Sequence, residues 1–321
     1  MLRKIPERPA QTQDRGRPQR PPVARSTEAI LGEGFDAFRP RSPIRMRLLA
    51  GLVLTVLLIY GLALAALALG QRRFLYPGAY RPPPLAQAPP EVASITIDTQ
   101  DGEILHALWN PPRPGCGVII TFHGNGGRPE PHATRFSADP WRRAGWGLLA
   151  PAFRGYPGST GSPSEDGLIR DGLAALAEAA ARAPGAPILL HGHSLGAAVA
   201  VAVAEQAPPI GLYLEAPFDS MTHAVRLHVP LAPSWLLRDT YRSDLRIRSG
   251  TTPVLIVQGR DDPVVPPKLA LMLAAAAGPR ARIELVPGDH GTILGLRDRD
   301  AEALFEARVG GGCRPAAETT E

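Results

Sequence analysis

The sequence has 321 residues, of which 44% are hydrophobic and 20% are charged, a composition that suits a globular protein with a substantial core. The first 47 residues hold eleven Lys and Arg against five Asp and Glu, which accounts for the whole of the net charge of +5. Because the rest of the chain is close to neutral and shows no nucleic-acid-binding motif, we expect no nucleic-acid partner. Cys116 and Cys313 are too few for a disulfide framework or a zinc ribbon. They could pair in an oxidising compartment, but two unpaired thiols are the simpler expectation.

A long apolar run near the N-terminus predicts one transmembrane helix. Residues 48–70 are 23 consecutive residues without a charge, dominated by Leu, Ala and Val, and two arginines flank each end. As a helix this run is about 35 Å long, which exceeds the bilayer's hydrocarbon core of about 30 Å. A cleaved signal peptide is the alternative, since Ala66-Leu67-Ala68 resembles a cleavage site. The apolar run is longer than signal peptides usually have, so we expect an uncleaved anchor.

The residues on either side of this helix indicate its orientation in the membrane and its connection to a folded domain. The basic residues before it predict that the N-terminus is cytoplasmic and that the rest of the chain is extracytoplasmic, in a periplasm or outside the cell. Residues 1–43, rich in Pro, Arg and Gln, are predicted to be a disordered basic arm, and 309–321 a disordered tail. The prolines within 71–91 predict a stiff linker between the membrane and a folded domain.

The folded domain is predicted at 92–308, where the pattern changes to short strands and helical stretches. Residues 94–98 and 103–109 alternate apolar and polar around Asp101-Gly102, which predicts a β-hairpin. Short apolar runs typical of buried parallel strands follow at 118–122, 147–150, 188–190, 212–214, 254–257 and 283–286, with helical stretches at 166–182, 194–206, 267–277 and 298–307. The alternation predicts an α/β fold with a mostly parallel central sheet and helices on both faces.

The pentapeptide Gly192-His193-Ser194-Leu195-Gly196 carries the first catalytic signal. It lies between a predicted strand and an Ala- and Val-rich helix, which is the strand–turn–helix context of a nucleophile elbow. Glycine is needed at both ends because larger side chains would clash with the neighbouring strand and helix. An ordinary glycine-rich turn is the alternative. In this context we expect Ser194 to be a nucleophile.

A serine nucleophile needs a base, and the base needs an acid. His290 lies in the loop after the last predicted strand, at the sheet edge where ligands gather, and is the best-placed histidine. The acid is Asp261 or Asp262, since both follow the strand predicted at 254–257.

The oxyanion of an acyl-transfer reaction needs two N–H donors. Leu195, directly after the candidate nucleophile, is expected to supply one, and Asn125 in the glycine-rich loop at 123–127 the other. This loop lacks the Lys-Ser/Thr ending of a phosphate-binding loop. His191 and His193 have no further metal ligand near them in the sequence, so neither a metal nor a cofactor is expected.

These motifs occur in the order found in one known family. They are the loop at 123–127, Phe153-Arg154-Gly155-Tyr156-Pro157-Gly158-Ser159, Gly161-Ser162-Pro163-Ser164-Glu165, the pentapeptide at 192–196, Gly259-x-x-Asp262-x-x-Val265-Pro266 and Gly288-Asp289-His290. Over residues 92–308 the chain resembles the α/β-hydrolase branch that includes serine-aminopeptidase-like hydrolases, monoacylglycerol lipases and membrane-anchored lysophospholipases or protein depalmitoylases.

The resemblance implies an α/β-hydrolase fold and roles for particular residues. The family's spacing selects Asp262 as the acid, and Ser194, Asp262 and His290 stand in the family's order of nucleophile, acid and base. Some relatives place the acid after the preceding strand, which keeps Asp219 as an alternative. Residues 217–250 occupy the position of the family's small lid insertion, although an ordinary core helix is an equal alternative there.

The expected activity is hydrolysis of an ester-type bond (ester, thioester or lysolipid) by a membrane-anchored serine hydrolase, through an acyl-enzyme on Ser194. The expected partners are a small-molecule or lipid ester and the membrane, contacted through residues 48–70. A catalytically silent scaffold that binds a ligand and a serine peptidase are the alternatives. The sequence does not indicate the oligomeric state.

Overall fold

The computed structural model describes residues 43–82, 87–310 and 313. The predicted arm at 1–43 and the predicted tail at 309–321 lie almost entirely outside these residues. The chain divides into two compact units, Met1–Ile59 and Tyr60–Glu321, and each is described separately.

Helix α1, Pro43–Leu75, contains the predicted transmembrane run. Among the described residues it is the one helix long and apolar enough to cross a membrane, with a mean hydropathy of 2.7 over 18 residues. It extends five residues beyond the predicted run at each end, because the flanking Arg and Gln are also good helix formers. Its part in the first unit, 43–59, is exposed along its whole length, as a helix surrounded by lipid would be.

The segment after α1 differs from the stiff linker predicted at 71–91. Leu75 is buried, Tyr76 has no exposed surface, and Pro77–Tyr80 form a short helix, α2. The hydroxyl oxygens of Tyr76 and Tyr241 share a hydrogen bond of 3.0 Å. Because the side chains of Leu75 and Tyr76 join the core, the linker prediction is wrong for its first ten residues. Burial of these apolar side chains outweighs the extended tendency of the prolines that follow.

The second unit is built on one eight-stranded sheet. In chain order the strands are β1 Ala93–Asp98, β2 Ile104–Asn110, β3 Val118–Phe122, β4 Gly147–Pro151, β5 Ile188–His193, β6 Gly211–Glu215, β7 Val254–Gly259 and β8 Ala281–Val286. Their order in the sheet is β1-β2-β4-β3-β5-β6-β7-β8. β1 and β2 form the predicted antiparallel hairpin, β2 also pairs antiparallel with β4, and every pairing from β4 to β8 is parallel. The predicted fold class is confirmed.

Helices cover both faces of this sheet. They are α3 Pro129–Phe136, α4 Trp141–Ala144, α5 Glu165–Arg182, α6 Leu195–Gln206, α7 Met221–His228, α8 Ser243–Arg246, α9 Pro267–Ala277 and α10 Asp298–Glu306. Side chains of α5, α6 and α9 pack on one face, and those of α3, α4 and α10 pack on the other. Strand residues alternate between these two cores, as Ile119 and Ile120 of β3 do. Burial on both faces explains why the parallel strands read as continuous apolar runs.

Between β6 and β7 the chain forms the segment predicted as a lid at 217–250, which we call the cap segment. It contains α7, one turn of 3-10 helix at Ser234–Leu236, and α8. Several of its large apolar side chains are exposed instead of joining the core, namely Leu227, Leu231 and Trp235. An ordinary core helix therefore does not describe this part of the cap segment.

Cys116 and Cys313 form a disulfide bond, so the expectation of two unpaired thiols is wrong. Cys116 is buried just before β3, and Cys313 lies beyond the end of α10. Because 197 residues separate the two cysteines, their proximity depends on the complete fold and not on local spacing. The bond fixes the C-terminal end of the described chain beside the sheet.

Candidate active site

Ser194 lies at the sharp turn between β5 and α6. Its backbone φ is 54°, a left-handed conformation that is strained for a residue with a Cβ. A Cβ on Gly192 would clash with the backbone of Gly196, and a Cβ on Gly196 would clash with the backbone of Phe122. The glycines at both ends of the pentapeptide therefore have the steric role that the sequence predicts, and the turn presents Ser194 to a cavity.

His290 and Asp262 form a hydrogen-bonded pair at the C-terminal edge of the sheet. Nδ1 of His290 donates to the Asp262 carboxylate over 2.8 Å, and the histidine side chain is 20% exposed whereas the carboxylate is fully buried. The backbone N–H groups of Val264 and Val265 donate to the other carboxylate oxygen at 2.9 and 2.8 Å. Burial opposes ionisation, but these hydrogen bonds outweigh it and hold the pKa of Asp262 below its ordinary value. A charged Asp262 fixes the tautomer of His290 that carries its proton on Nδ1.

His193, the residue before Ser194, holds the loop that carries His290. Its Nε2 donates to the carbonyl oxygen of His290 over 3.0 Å, and the two ring centroids are 4.9 Å apart. Burial lowers the pKa of His193 to about 4, so its ring is neutral near pH 7. This contact brings His290 next to the turn that carries Ser194, so His193 positions the loop of His290.

The glycine-rich loop at 123–127 lies against Ser194. A Cβ on Gly124 would lie 3.6 Å from the Cβ of Ser194. Leu195 is the first residue of α6, where backbone N–H groups have no partner within the helix. Asn125, Ser194 and Leu195 line the same cavity. The structure thus brings both predicted oxyanion donors to the predicted nucleophile.

His123 fixes the start of this loop. Its Nδ1 donates to the carbonyl oxygen of Gly124 over 2.7 Å, and the backbone N–H of Phe153 donates to its Nε2 over 3.4 Å. Complete burial lowers the pKa of His123 to about 4. A neutral ring with its proton on Nδ1 satisfies both hydrogen bonds, so the loop depends on an uncharged His123.

The carbonyl oxygen of Asn125 accepts hydrogen bonds from two donors. The hydroxyl of Tyr156 donates to it over 2.7 Å, and the backbone N–H of Gly78 over 3.1 Å. Tyr156 belongs to the motif at 153–159, which is one of the motifs shared with the family. Gly78 belongs to α2 and was missed, because nothing in its local sequence points to a partner 47 positions away.

The two rival acids lie in other environments. Asp261 is exposed on the loop after β7. Asp219 is buried, and its carboxylate pairs with Nδ1 of His223 on α7. Hydrogen bonding to His290 therefore singles out Asp262.

Sequence reasoning also missed two buried polar side chains that support the site. Nε2 of Gln258 donates to the Asp262 carboxylate over 3.1 Å. Glu165, at the start of α5, accepts from the backbone N–H groups of Thr240 and Tyr241 at 2.6 and 2.9 Å, which fixes the base of the cap segment. An amide at the end of the apolar strand β7 was the one sequence signal for Gln258.

A cavity of about 500 Å³ opens beside Ser194, and its walls are mostly apolar. They come from the cap segment and from the last turns of α1, and include Leu67, Phe74, Leu75, Met221, Val225 and Leu237. Cavities of this size hold one small ligand and bury most of its surface.

His191 and His193, on either side of Gly192, form hydrogen bonds with different residues. Nε2 of His191 donates to Glu215 over 2.9 Å, and the hydroxyl of Thr121 donates to its Nδ1 over 2.7 Å. His193 instead bonds His290. Across the described part of the chain, no three His, Cys, Asp or Glu side chains form a group that could hold a metal ion.

Comparison with known proteins identifies relatives of this chain. The model of the alpha/beta hydrolase family matches residues 118–250. The uncharacterized protein Rv2307c of Mycobacterium tuberculosis is 37% identical over 224 residues, which are 68% of this chain and 79% of that protein. The lysophosphatidylserine lipase ABHD12 of Xenopus tropicalis is 30% identical over 183 residues, which are 50% of this chain and 47% of the lipase. The chain therefore spans about half the length of that lipase.

A solved structure shares the fold. The crystal structure of an alpha-beta hydrolase from Vibrio vulnificus aligns with a TM-score of 0.61 at 21% sequence identity, covering 73% of this chain and 91% of that one. The sheet order and the match to the family model both indicate the same fold family. The chain belongs to the α/β-hydrolase superfamily.

Proposed function

We propose that the chain is a serine hydrolase that cleaves ester-type bonds (ester, thioester or lysolipid) through an acyl-enzyme on Ser194. One observation carries the proposal: a serine with a φ of 54° lies at a strand–helix turn beside the hydrogen-bonded pair of Asp262 and His290. A left-handed backbone is costly for serine, and strained residues of this kind cluster at active sites.

In the first half-reaction, Nε2 of His290 takes the proton of the Ser194 hydroxyl as its oxygen attacks the substrate carbonyl. The carbonyl oxygen becomes an oxyanion, which the backbone N–H groups of Leu195 and Asn125 stabilise. His290 then gives the proton to the leaving oxygen or sulfur, and the acyl group stays on Ser194. Asp262 remains ionised throughout, orients His290 and stabilises its cation.

In the second half-reaction, water takes the place of the leaving group. His290 removes a proton from the water, whose oxygen attacks the acyl carbon, and the same two N–H groups hold the second oxyanion. Collapse of this intermediate releases the carboxylic acid and returns the proton to Ser194. Hydrolysis therefore consumes one water and regenerates the enzyme.

A lipid-like ester is the substrate class that the cavity supports best. The walls beside Ser194 are mostly apolar, which favours an acyl chain over a charged or polar group. The similarity to a lysophosphatidylserine lipase over about half of that protein's length points the same way.

Membrane anchoring through α1, with a cytoplasmic N-terminus and an extracytoplasmic second unit, is the second part of the proposal. The length and apolar composition of α1 support the anchor, and the excess of basic residues before it supports the orientation. The disulfide between Cys116 and Cys313 also supports it, because such bonds persist in oxidising compartments and are rare in the cytosol.

Labelling of the full chain with a fluorophosphonate probe tests the proposal, together with hydrolysis of a water-soluble butyrate ester. We expect the wild type to be labelled and active, and Ser194→Ala and His290→Ala to lose both properties. His106→Ala is the matched control, since His106 is only partly buried and lies on β2. Folded wild type that is neither labelled nor active would favour a silent scaffold, and activity in Ser194→Ala would exclude this nucleophile.

A further inference from the structure

The anchor helix forms part of the cavity wall. Leu67, Gln71, Phe74 and Leu75, from the last turns of α1, face the same space as Ser194. Residues of the cap segment line this space as well. A helix that served only to tether the domain would not need to line its cavity.

Buried polar contacts fix these turns of α1 to the cap segment. The Gln71 side chain donates to the carbonyl oxygen of Leu236 over 3.2 Å and accepts from the backbone N–H of Arg238 over 2.9 Å. The next residue, Arg72, forms an ion pair with the buried Asp239 at 3.2 Å. Because Gln71 is itself only 5% exposed, breaking these contacts would leave buried polar groups without partners. The wall that α1 contributes is therefore held in place.

Three large apolar side chains on or directly beside the lining residues of this cavity are exposed, namely Phe74, Leu231 and Trp235, and we call them the rim. Phe74 lines the cavity and is nevertheless 73% exposed. Leu231 and Trp235 are 79% and 78% exposed, and both have direct sequence neighbours that line the cavity. Exposed apolar side chains beside a cavity are typical of a surface that binds a membrane or another molecule.

The cap segment also reaches along α1 into the apolar run. The hydroxyl of Tyr60 donates to the carbonyl oxygen of Leu231 over 2.9 Å. Tyr60 lies eleven positions before Gln71, which is about 16 Å along a helix, and falls within the uncharged run at 48–70. If this run crosses a bilayer, Leu231 of the cap segment lies beside it at the level of the lipid acyl chains. The hydrogen bond from Tyr60 satisfies the carbonyl that such a position would otherwise leave without a partner.

The geometry points to a lateral portal: the cavity opens into the bilayer between α1 and the cap segment, and the acyl chain of a membrane lipid passes the rim to reach Ser194. This inference rests on the proposed function, and it adds that the substrate is taken from the membrane and not from water. The rim residues Phe74, Leu231 and Trp235 contact the lipid, and α1 acts as one side of the passage.

Tryptophan emission tests the position of the rim independently of activity. The sequence contains four tryptophans, and three are buried. Their exposed fractions are 7% for Trp109, 0% for Trp141, 3% for Trp146 and 78% for Trp235. In vesicles of lipids with brominated acyl chains, we expect the emission of the full-length wild type to be quenched and that of Trp235→Phe to be largely insensitive to bromine. Equal quenching of the two proteins, or no quenching of either, would overturn the portal.

A substrate comparison tests the passage itself. The full chain, reconstituted in vesicles, is given monooleoylglycerol within the bilayer or a water-soluble butyrate ester. For Leu231→Ser/Trp235→Ser we expect kcat/KM on the bilayer substrate to fall by about tenfold or more, because two side chains lose their burial in lipid, while the butyrate ester and fluorophosphonate labelling change little. Leu296→Ser is the matched control, since Leu296 is 52% exposed and lies between β8 and α10.

The outcomes separate this inference from the proposed function. An equal loss on both substrates, or no loss on either, would overturn the portal while leaving the serine hydrolase in place. A wild type that is neither labelled nor active on the butyrate ester would overturn the proposed function, and the passage of a substrate to Ser194 with it.

Discussion

The backbone N–H of Gly78 donates to the carbonyl oxygen of Asn125 over 3.1 Å, and so links the segment after α1 to the predicted oxyanion donor. The same oxygen accepts from the hydroxyl of Tyr156. Gly78 has no side chain because there is no room for one: a Cβ would lie 2.6 Å from the Tyr156 ring and 3.0 Å from that carbonyl oxygen. The segment that follows α1 therefore helps to hold the loop at 123–127.

Gly78→Ala tests this link. The new methyl group would push Tyr156 and the loop apart, so we expect kcat on a soluble ester to fall by about tenfold, which is less than the loss of about 10²–10³-fold that follows complete removal of an oxyanion donor. KM should change less, because the cavity walls remain. Gly250→Ala is the control, since its Cβ would approach other atoms no closer than 3.5 Å. Wild-type kcat in Gly78→Ala would contradict the supporting role of this contact.

Asp262→Asn tests the assignment of the acid. An amide at this position leaves the space filled but cannot hold His290 in the required tautomer or stabilise its cation, so kcat should fall by about 10⁴-fold. Asp219→Asn should keep kcat within a few-fold of wild type, because Asp219 pairs with His223. Steady-state kinetics of the two variants on one soluble ester decide the matter. The reverse pattern would move the acid to Asp219.

Much of the sheet and its order of motifs could be predicted from the sequence. The run at 118–122 coincides with β3, and the other five predicted strands differ from the observed ones by at most three residues at an end. Strands buried on both faces are apolar throughout, so composition alone marks them. Ser194, His290 and Asp262 could be predicted because each follows such a strand, at the edge where the ends of parallel strands meet.

The contacts that connect distant segments could not be predicted. The pairs of Gly78 with Asn125, of Gln71 with Leu236 and of Cys116 with Cys313 each join positions far apart in the chain. No period or spacing marks such pairs, because they form only when the whole second unit has folded. The proline-rich composition after α1 therefore predicted a spacer, although the apolar Leu75 and Tyr76 belong to the core.

Stability should fall in mild acid because buried histidines are held neutral. In an unfolded chain histidine takes up a proton near pH 6.5, whereas burial lowers the pKa of His123 to about 4 and also lowers that of His132. Between these pH values the unfolded state binds more protons than the folded state. The stabilisation that these histidines contribute is therefore fully present above pH 6.5 and is lost as the pH falls toward 4. Each histidine contributes up to about 1.4 kcal/mol per pH unit. Thermal unfolding in mild detergent across this range measures the effect.

His123→Asn measures the contribution of His123 to this pH dependence of stability. Its amide can still donate to the carbonyl oxygen of Gly124 but does not titrate. We expect its unfolding temperature to be lower than that of the wild type at pH 7.5 but to decline less steeply toward pH 4. An unchanged slope would show that His123 takes no part in the acid loss.

The disulfide bond between Cys116 and Cys313 should stabilise the fold, and its presence in cells should show which compartment holds the second unit. Its loop of 197 residues should give a stabilisation of about 2–5 kcal/mol, so reduction should lower the unfolding temperature of the wild type but not that of Cys116→Ser/Cys313→Ser. Cells are lysed directly into a maleimide reagent, which labels free thiols. We expect no labelling of the wild type until a reductant is added, and labelling of one free thiol in Cys313→Ser. An extracytoplasmic second unit requires this result, because cytosolic thiols are kept reduced. Two freely labelled thiols in the wild type would contradict both the bond and the proposed orientation.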